Sequence, residues 1–152
     1  FHGDSWTMNI GFEFQFPPGL DRQFGIVIVF GDPEGDAPEA MFFLRSDAGL
    51  DRPSAQFLGS AGSEAATQLL DPSTPQEIMI TRLGQDVSCT MSVGGRFDSI
   101  GGFSFDEPLP PYQSILVFGT TRVGKYGYLQ EGGTLDIDFI RVRSHRKQDS
   151  DE

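Results

Sequence analysis

Residues 6–16 alternate without a break: Trp6, Met8, Ile10, Phe12, Phe14 and Phe16 fall on one parity, and Thr7, Asn9, Gly11, Glu13 and Gln15 on the other. Successive side chains of a β-strand point to opposite faces, so a period of two over this length predicts a strand with one buried and one polar face. Pro17, Pro18 and Gly19 end it, because proline has no N–H to give to a ladder and biases the residue before it. Residues 24–30, Phe-Gly-Ile-Val-Ile-Val-Phe, have no polar parity and are rich in β-branched side chains, which predicts a central strand covered on both faces.

Further strands are predicted at 41–45, 54–59, 77–83, 87–93, 96–100, 114–119 and 134–143. Between 24–30 and 41–45 lies a loop rich in Pro, Gly and acids. Gly84-Gln85-Asp86 separates two apolar-alternating runs and predicts a hairpin, and Gly94-Gly95 a second tight turn. Residues 62–70 hold the chain's sequence of helix formers and read as one or two helical turns or as a loop. The last run changes phase: Leu135, Ile137 and Phe139 share one parity, Ile140 and Val142 the other. Either a bulge near Phe139 shifts the register, or the strand is buried on one face at its start and on both later. Nine strands without a long helix predict an all-β fold, a two-sheet antiparallel β-sandwich.

Composition fits that pattern. Fourteen of the 152 residues are Phe, and 19 Gly and 10 Pro fall between the apolar runs. One domain over 1–143 with a polar C-terminal tail or linker at 144–152 is expected. The single cysteine, Cys89, excludes an internal disulfide and a cysteine zinc site, and its apolar parity marks it as a small buried hydrophobe. A net charge of −11 argues against nucleic acid and anionic membrane as partners, since both are bound through Lys and Arg. No run is long and apolar enough for membrane insertion. The opening Phe-His-Gly-Asp-Ser-Trp reads as a domain cut from a larger precursor.

The hairpin over 78–97, the Gly-Lys-Tyr-Gly-Tyr passage at 124–128 and the closing Leu-Asp-Ile-Asp-Phe-Ile-Arg-Val-Arg at 135–143 resemble the concanavalin A-like lectin and glucanase superfamily. These passages cover about a third of the chain. The resemblance implies a jelly-roll sandwich of a kind that includes lectins, carbohydrate-binding modules, glycosidases and laminin-G-like protein-binding domains, often with one structural calcium.

Candidate chemistry is sparse. Asp136 and Asp138 are two apart on a predicted strand, but the same-parity neighbours Thr134 and Ile140 supply no acid/base partner, so retaining glycoside hydrolysis from this strand is disfavoured. Calcium candidates are the acidic loop Asp32, Glu34 and Asp36, and the pair Asp136 and Asp138. His2 and His145, near opposite ends of the chain, have no second ligand at metal spacing. Tyr112, Tyr126 and Tyr128 lie in predicted loops, with Arg122, Lys125, Gln130 and Glu131 beside two of them, the best local recipe for a carbohydrate contact. Trp6, on the apolar parity, is read as core or rim.

The expectation is therefore a non-catalytic, glycan-binding module in a larger secreted, periplasmic or cell-surface protein, with a glycan or a neighbouring domain as partner. The alternatives are a carbohydrate-active enzyme using Glu13 with Asp136 or Asp138, and a structural laminin-G-like module.

Overall fold

In a computed structural model, the structure describes residues 1–15, 21–46, 54–59, 68–69, 76–93, 96–122 and 134–145. The apolar parity of the first alternating run goes inward: Trp6, Met8, Ile10 and Phe12 are all buried. That run is β1, Ser5–Gln15. It is followed by β2 (Asp21–Phe30), β3 (Glu39–Ser46), β4 (Ser54–Gly59) and the two-residue β5 (Gln68–Leu69). The hairpin β6 (Gln76–Leu83) and β7 (Asp86–Val93) comes next, then β8 (Arg96–Ser104), β9 (Gln113–Arg122) and β10 (Thr134–Ser144).

These strands form two five-stranded sheets, ordered β10-β1-β6-β7-β8 and β5-β4-β3-β2-β9. Every pairing within them is antiparallel. The core between them joins Met8, Ile10, Ile78, Ile80, Cys89 and Met91 of the first sheet to Ile26, Ile28, Phe42, Leu44 and Phe57 of the second. Cys89 is buried and free, as its parity predicts. β2 lies between β3 and β9, and Val27 and Val29 on its outer parity are buried as well, which accounts for its lack of a polar face.

The two long sides of the sandwich differ among the described residues. At one side β8 packs on β4, with the Phe103 ring stacked on Phe57 and lying against Gly59. At the other side Ile140 and Val142 of β10, although they pair with the inward residues Ile10 and Met8, remain 42% and 39% exposed.

The structure refines three expectations. Of residues 62–70 only 68–69 are described, and they form a strand: Gln68 and Leu69 pair with Ala55 and Ser54. A free edge of β4 supplies ladder partners there, and tertiary pairing outweighs a weak helix propensity. Ten strands are thus described rather than nine. The phase change in β10 is a bulge, because Gly11 pairs with Phe139 and Phe12 with Ile137, leaving Asp138 unpaired. Finally, β10 runs one residue beyond the predicted 134–143, to Ser144, and His145 N donates to Ser5 O.

The hairpin loop is Gly84-Gln85, shorter by one residue than the expected connection, because Asp86 already pairs with Leu83. Gly84 has φ +65°, matching the two-residue turns whose first position is reserved for glycine.

Candidate functional site

Because side chains alternate, the polar parity of β1 shares the outer face of its sheet with the same-face residues of β10 and β6. Thr7 lies between Arg143 and Thr81, Asn9 between Arg141 and Met79, and Gly11 between Phe139 and Glu77. The bulge at Asp138 is what places Phe139 here: without the extra residue, Phe139 would continue the inward parity of Ile137. Arg141 and Arg143 then follow it on alternate positions along β10, and His145 comes just past the strand's end.

The groups on this face hold one another in place. Thr7 Oγ1 is 2.6 Å from His145 Nε2 and 3.3 Å from Thr81 Oγ1. Asn9 Nδ2 donates to Glu77 Oε2 at 3.3 Å. The Arg141 guanidinium sits 4.5 Å from the centre of the Phe139 ring, a cation–π contact that limits the freedom of a planar donor fork. Phe139 in turn occupies the space above Gly11, where a Cβ would stand 2.2 Å from its ring. Among the described residues no carboxylate pairs with Arg141 or Arg143, both of which are exposed. Such an array offers hydroxyls, a planar amide, a carboxylate and guanidinium donors within one face.

A second polar cluster is buried and structural. Arg82 continues the inward parity of Ile78 and Ile80 and is 1% exposed. Its Nη1 donates to Gln113 Oε1 at 2.6 Å and Pro110 O at 2.8 Å, with Gly3 O at 3.3 Å, its Nε to Gly84 O at 2.9 Å and its Nη2 to Leu109 O at 3.2 Å. Desolvation lowers the pKa of Arg82 from its ordinary value, and the charge of Asp4 opposes that shift. Carbonyl dipoles solvate the cation in place of water, and the Phe30 ring lies 5.2 Å from it.

Of the residues expected around the tyrosines, Tyr112 and Arg122 are described. Tyr112 is exposed at the start of β9, where it forms a bridge with His2, whereas Arg122 is the last residue of β9, paired with Asp21. Ten strand residues separate them by about 30 Å, so no single sugar touches both. Arg122 is also in a strand rather than a loop. Lys125, Tyr126, Tyr128, Gln130 and Glu131 lie outside the described residues.

The calcium candidates are dispersed. Asp32, Glu34 and Asp36 stand on an exposed loop, where Asp32 Oδ1 accepts from the Glu34 N–H, and Asp136 and Asp138 are exposed on β10. Among the described residues no three of His, Cys, Asp and Glu converge on a point. Glu13 pairs directly with Asp136, so these two carboxylates share the outer face. Both are exposed, and neither sits in the apolar enclosure on which a general acid relies.

Sequence reasoning did not single out Thr7, Asn9, Glu77, Arg141 or Arg143 as a site. Their shared parity was visible, but period-two patterning does not reveal that β1 lies between β10 and β6.

Two antiparallel sheets packed around one apolar core place the chain in the class of β-sandwiches. No protein-family model matches the sequence, and no curated protein matches it. Solved structures do share the fold. A GH43 protein, BlXynB, from Bacillus licheniformis superposes with a TM-score of 0.63 at 12% identity, over 93% of this chain and 28% of its own. The chain thus spans little more than a quarter of that protein's length. The CBM2 module of an evolved Dit protein from Lactobacillus casei BL23 phage J-1 gives 0.60 at 13% identity, over 91% of this chain and 60% of its own. Sheep galectin-11, solved with glycerol, gives 0.50 at 14% identity, over 92% and 90%. At these identities the likeness is one of fold. Among the described residues no helix is long and apolar enough to cross a membrane.

Proposed function

We propose that this chain is a non-catalytic carbohydrate-binding module of jelly-roll, concanavalin A-like type, acting within a larger protein outside the cytoplasm, and that the outer face of β10, β1 and β6 is its ligand face. The sheet orders support the jelly-roll reading, since the chain crosses repeatedly between two five-stranded sheets. Fold neighbours that include a galectin, a CBM2 module and a GH43 protein support the class. The placement outside the cytoplasm rests on the sequence resemblance to sugar-associated modules.

The observation that carries the reading is the mutual fixing of Asn9 with Glu77, Thr7 with His145, and Arg141 with Phe139. Sugars present paired hydroxyls beside apolar C–H faces. Polar groups already oriented by neighbours lose less entropy when they bond such hydroxyls. Binding of an oligosaccharide panel, measured by calorimetry, tests this. Asn9→Ala and Glu77→Ala are expected to weaken binding, and full affinity in both variants would remove this face as the site. Tyr126→Ala and Tyr128→Ala, run in parallel, report whether these two tyrosines share in the contact.

A further inference from the structure

We infer that the ligand of this face is an acidic glycan, a uronate- or sulfate-bearing oligosaccharide whose anionic groups lie along the Arg141, Arg143 and His145 end of β10. The inference rests on the carbohydrate reading of the same face and names the substrate class.

The chain carries 22 acidic against 11 basic residues, so exposed cations are scarce, and one of the basic residues, Arg82, is buried in the core. Arg141 and Arg143 nevertheless stand side by side on one face of one strand, about 6.6 Å apart by strand geometry. Neither is neutralised by a carboxylate among the described residues. Glu77, on the same face two strands away, is engaged by Asn9. A guanidinium fork matches a carboxylate or sulfate in two parallel hydrogen bonds, and Arg141 is held over Phe139 in advance of binding.

The same face sets a direction. Asp136, Asp138 and Glu13 crowd the opposite end of the β1–β10 pair and repel an anion there. The charged groups of the ligand therefore lie toward Arg143 and His145, with its uncharged hydroxyls toward Asn9 and Glu77. A cationic row two arginines long, flanked by this acidic end, suits an oligosaccharide with discrete anionic groups better than a continuous phosphate backbone.

Calorimetry on the full chain, with uronate- and sulfate-bearing oligosaccharides and their carboxyl-reduced or desulfated counterparts, tests the inference. Charged members are expected to bind, to lose at least about tenfold in affinity on reduction or desulfation, and to lose a similar factor in Arg141→Gln/Arg143→Gln. Raising the salt concentration is expected to weaken the charged members alone. Circular dichroism on the same samples establishes that the doubly substituted chain is folded. Equal binding of charged and neutral members, weakened by Asn9→Ala but not by the arginine substitutions, overturns the acidic-glycan inference and leaves the carbohydrate reading standing. Failure of every member to bind overturns both. Equal binding of a single-stranded polynucleotide overturns the inference by showing a patch that accepts any polyanion.

Discussion

Arg82 and Gln113 meet inside the sandwich, where Arg82 Nη1 donates to Gln113 Oε1 at 2.6 Å and Trp6 Nε1 donates to the same oxygen at 2.9 Å. Gln113 Nε2 in turn donates to Phe1 O at 2.9 Å and Gly3 O at 3.2 Å, so one side chain ties the first residues of the chain to β6 and β9. Gln113→Leu would take away the closest acceptor of the Arg82 guanidinium and strand the buried Trp6 indole N–H, costing about 1–3 kcal/mol for the stranded group. Arg82→Lys is expected to destabilise as well, because an ammonium has three donors to distribute among acceptors that a five-donor fork now reaches. Urea unfolding checks both, and a Gln113→Leu chain as stable as the parent would show that the network holds nothing.

Gly11 and Phe139 form a steric pair across β1 and β10. A Cβ at Gly11 would lie 2.2 Å from Phe139 Cε1, well inside contact distance, so Gly11→Ala must expel the ring. Overpacking of this kind costs about 1–3 kcal/mol. Because the obstruction is a side chain rather than backbone, Phe139→Ala is expected to return part of that loss. A double-mutant cycle by denaturant unfolding measures it, and strictly additive losses would refute the steric pairing.

Much of the fold was legible because period-two alternation is a local signal. Trp6, Met8 and Ile10 declared a buried face, Gly84 declared a hairpin, and the switch from Phe139 to Ile140 declared either a bulge or a doubly buried end. The candidate site was not legible in the same way. Asn9 meets Arg141 across a sequence separation that no periodicity encodes, and the side on which Phe139 emerges depends on the extra residue at Asp138. Arg82 did carry a signal, a charge on the apolar parity of Ile78 and Ile80, but its acceptors come from loop carbonyls at Gly3, Leu109 and Pro110. Tyr112 and Arg122, both carbohydrate candidates, are set apart by the length of a ten-residue strand, a separation that their order in the sequence does not convey.

Burial pushes the Cys89 thiol well above its ordinary pKa, so the folded chain keeps this proton where the unfolded chain releases it. A raised folded value contributes stability that is complete below the unfolded pKa of about 8.5 and falls as pH rises beyond it, by up to about 1.4 kcal/mol per pH unit. Other groups also titrate in alkali, so the difference between parent and Cys89→Ala isolates the thiol. The parent's stability is expected to decline more steeply between pH 8.5 and 10 than the variant's. Parallel slopes would contradict the burial of the thiol. A thiol reagent should react with Cys89 only as fast as the chain opens.

Glu13 and Asp136 stand directly opposite each other on the exposed face, and like charges in that position are unfavourable. Glu13→Gln is therefore expected to stabilise the chain by about 0.2–1 kcal/mol at low ionic strength. Screening shrinks the repulsion, so the gain should fade as salt is added. Thermal unfolding of the two chains in chelator and at two salt concentrations measures this. A bound calcium at these carboxylates would reverse the sign: Glu13→Gln would then destabilise in calcium buffer, and chelator would lower the Tm of the parent more than that of the variant. The same substitution bears on the enzyme alternative. If Glu13 only repels Asp136, glycan affinity at Asn9 and Arg141 is expected to persist in Glu13→Gln, and slow cleavage of a bound oligosaccharide by the parent, abolished in the variant, would instead make the pair catalytic.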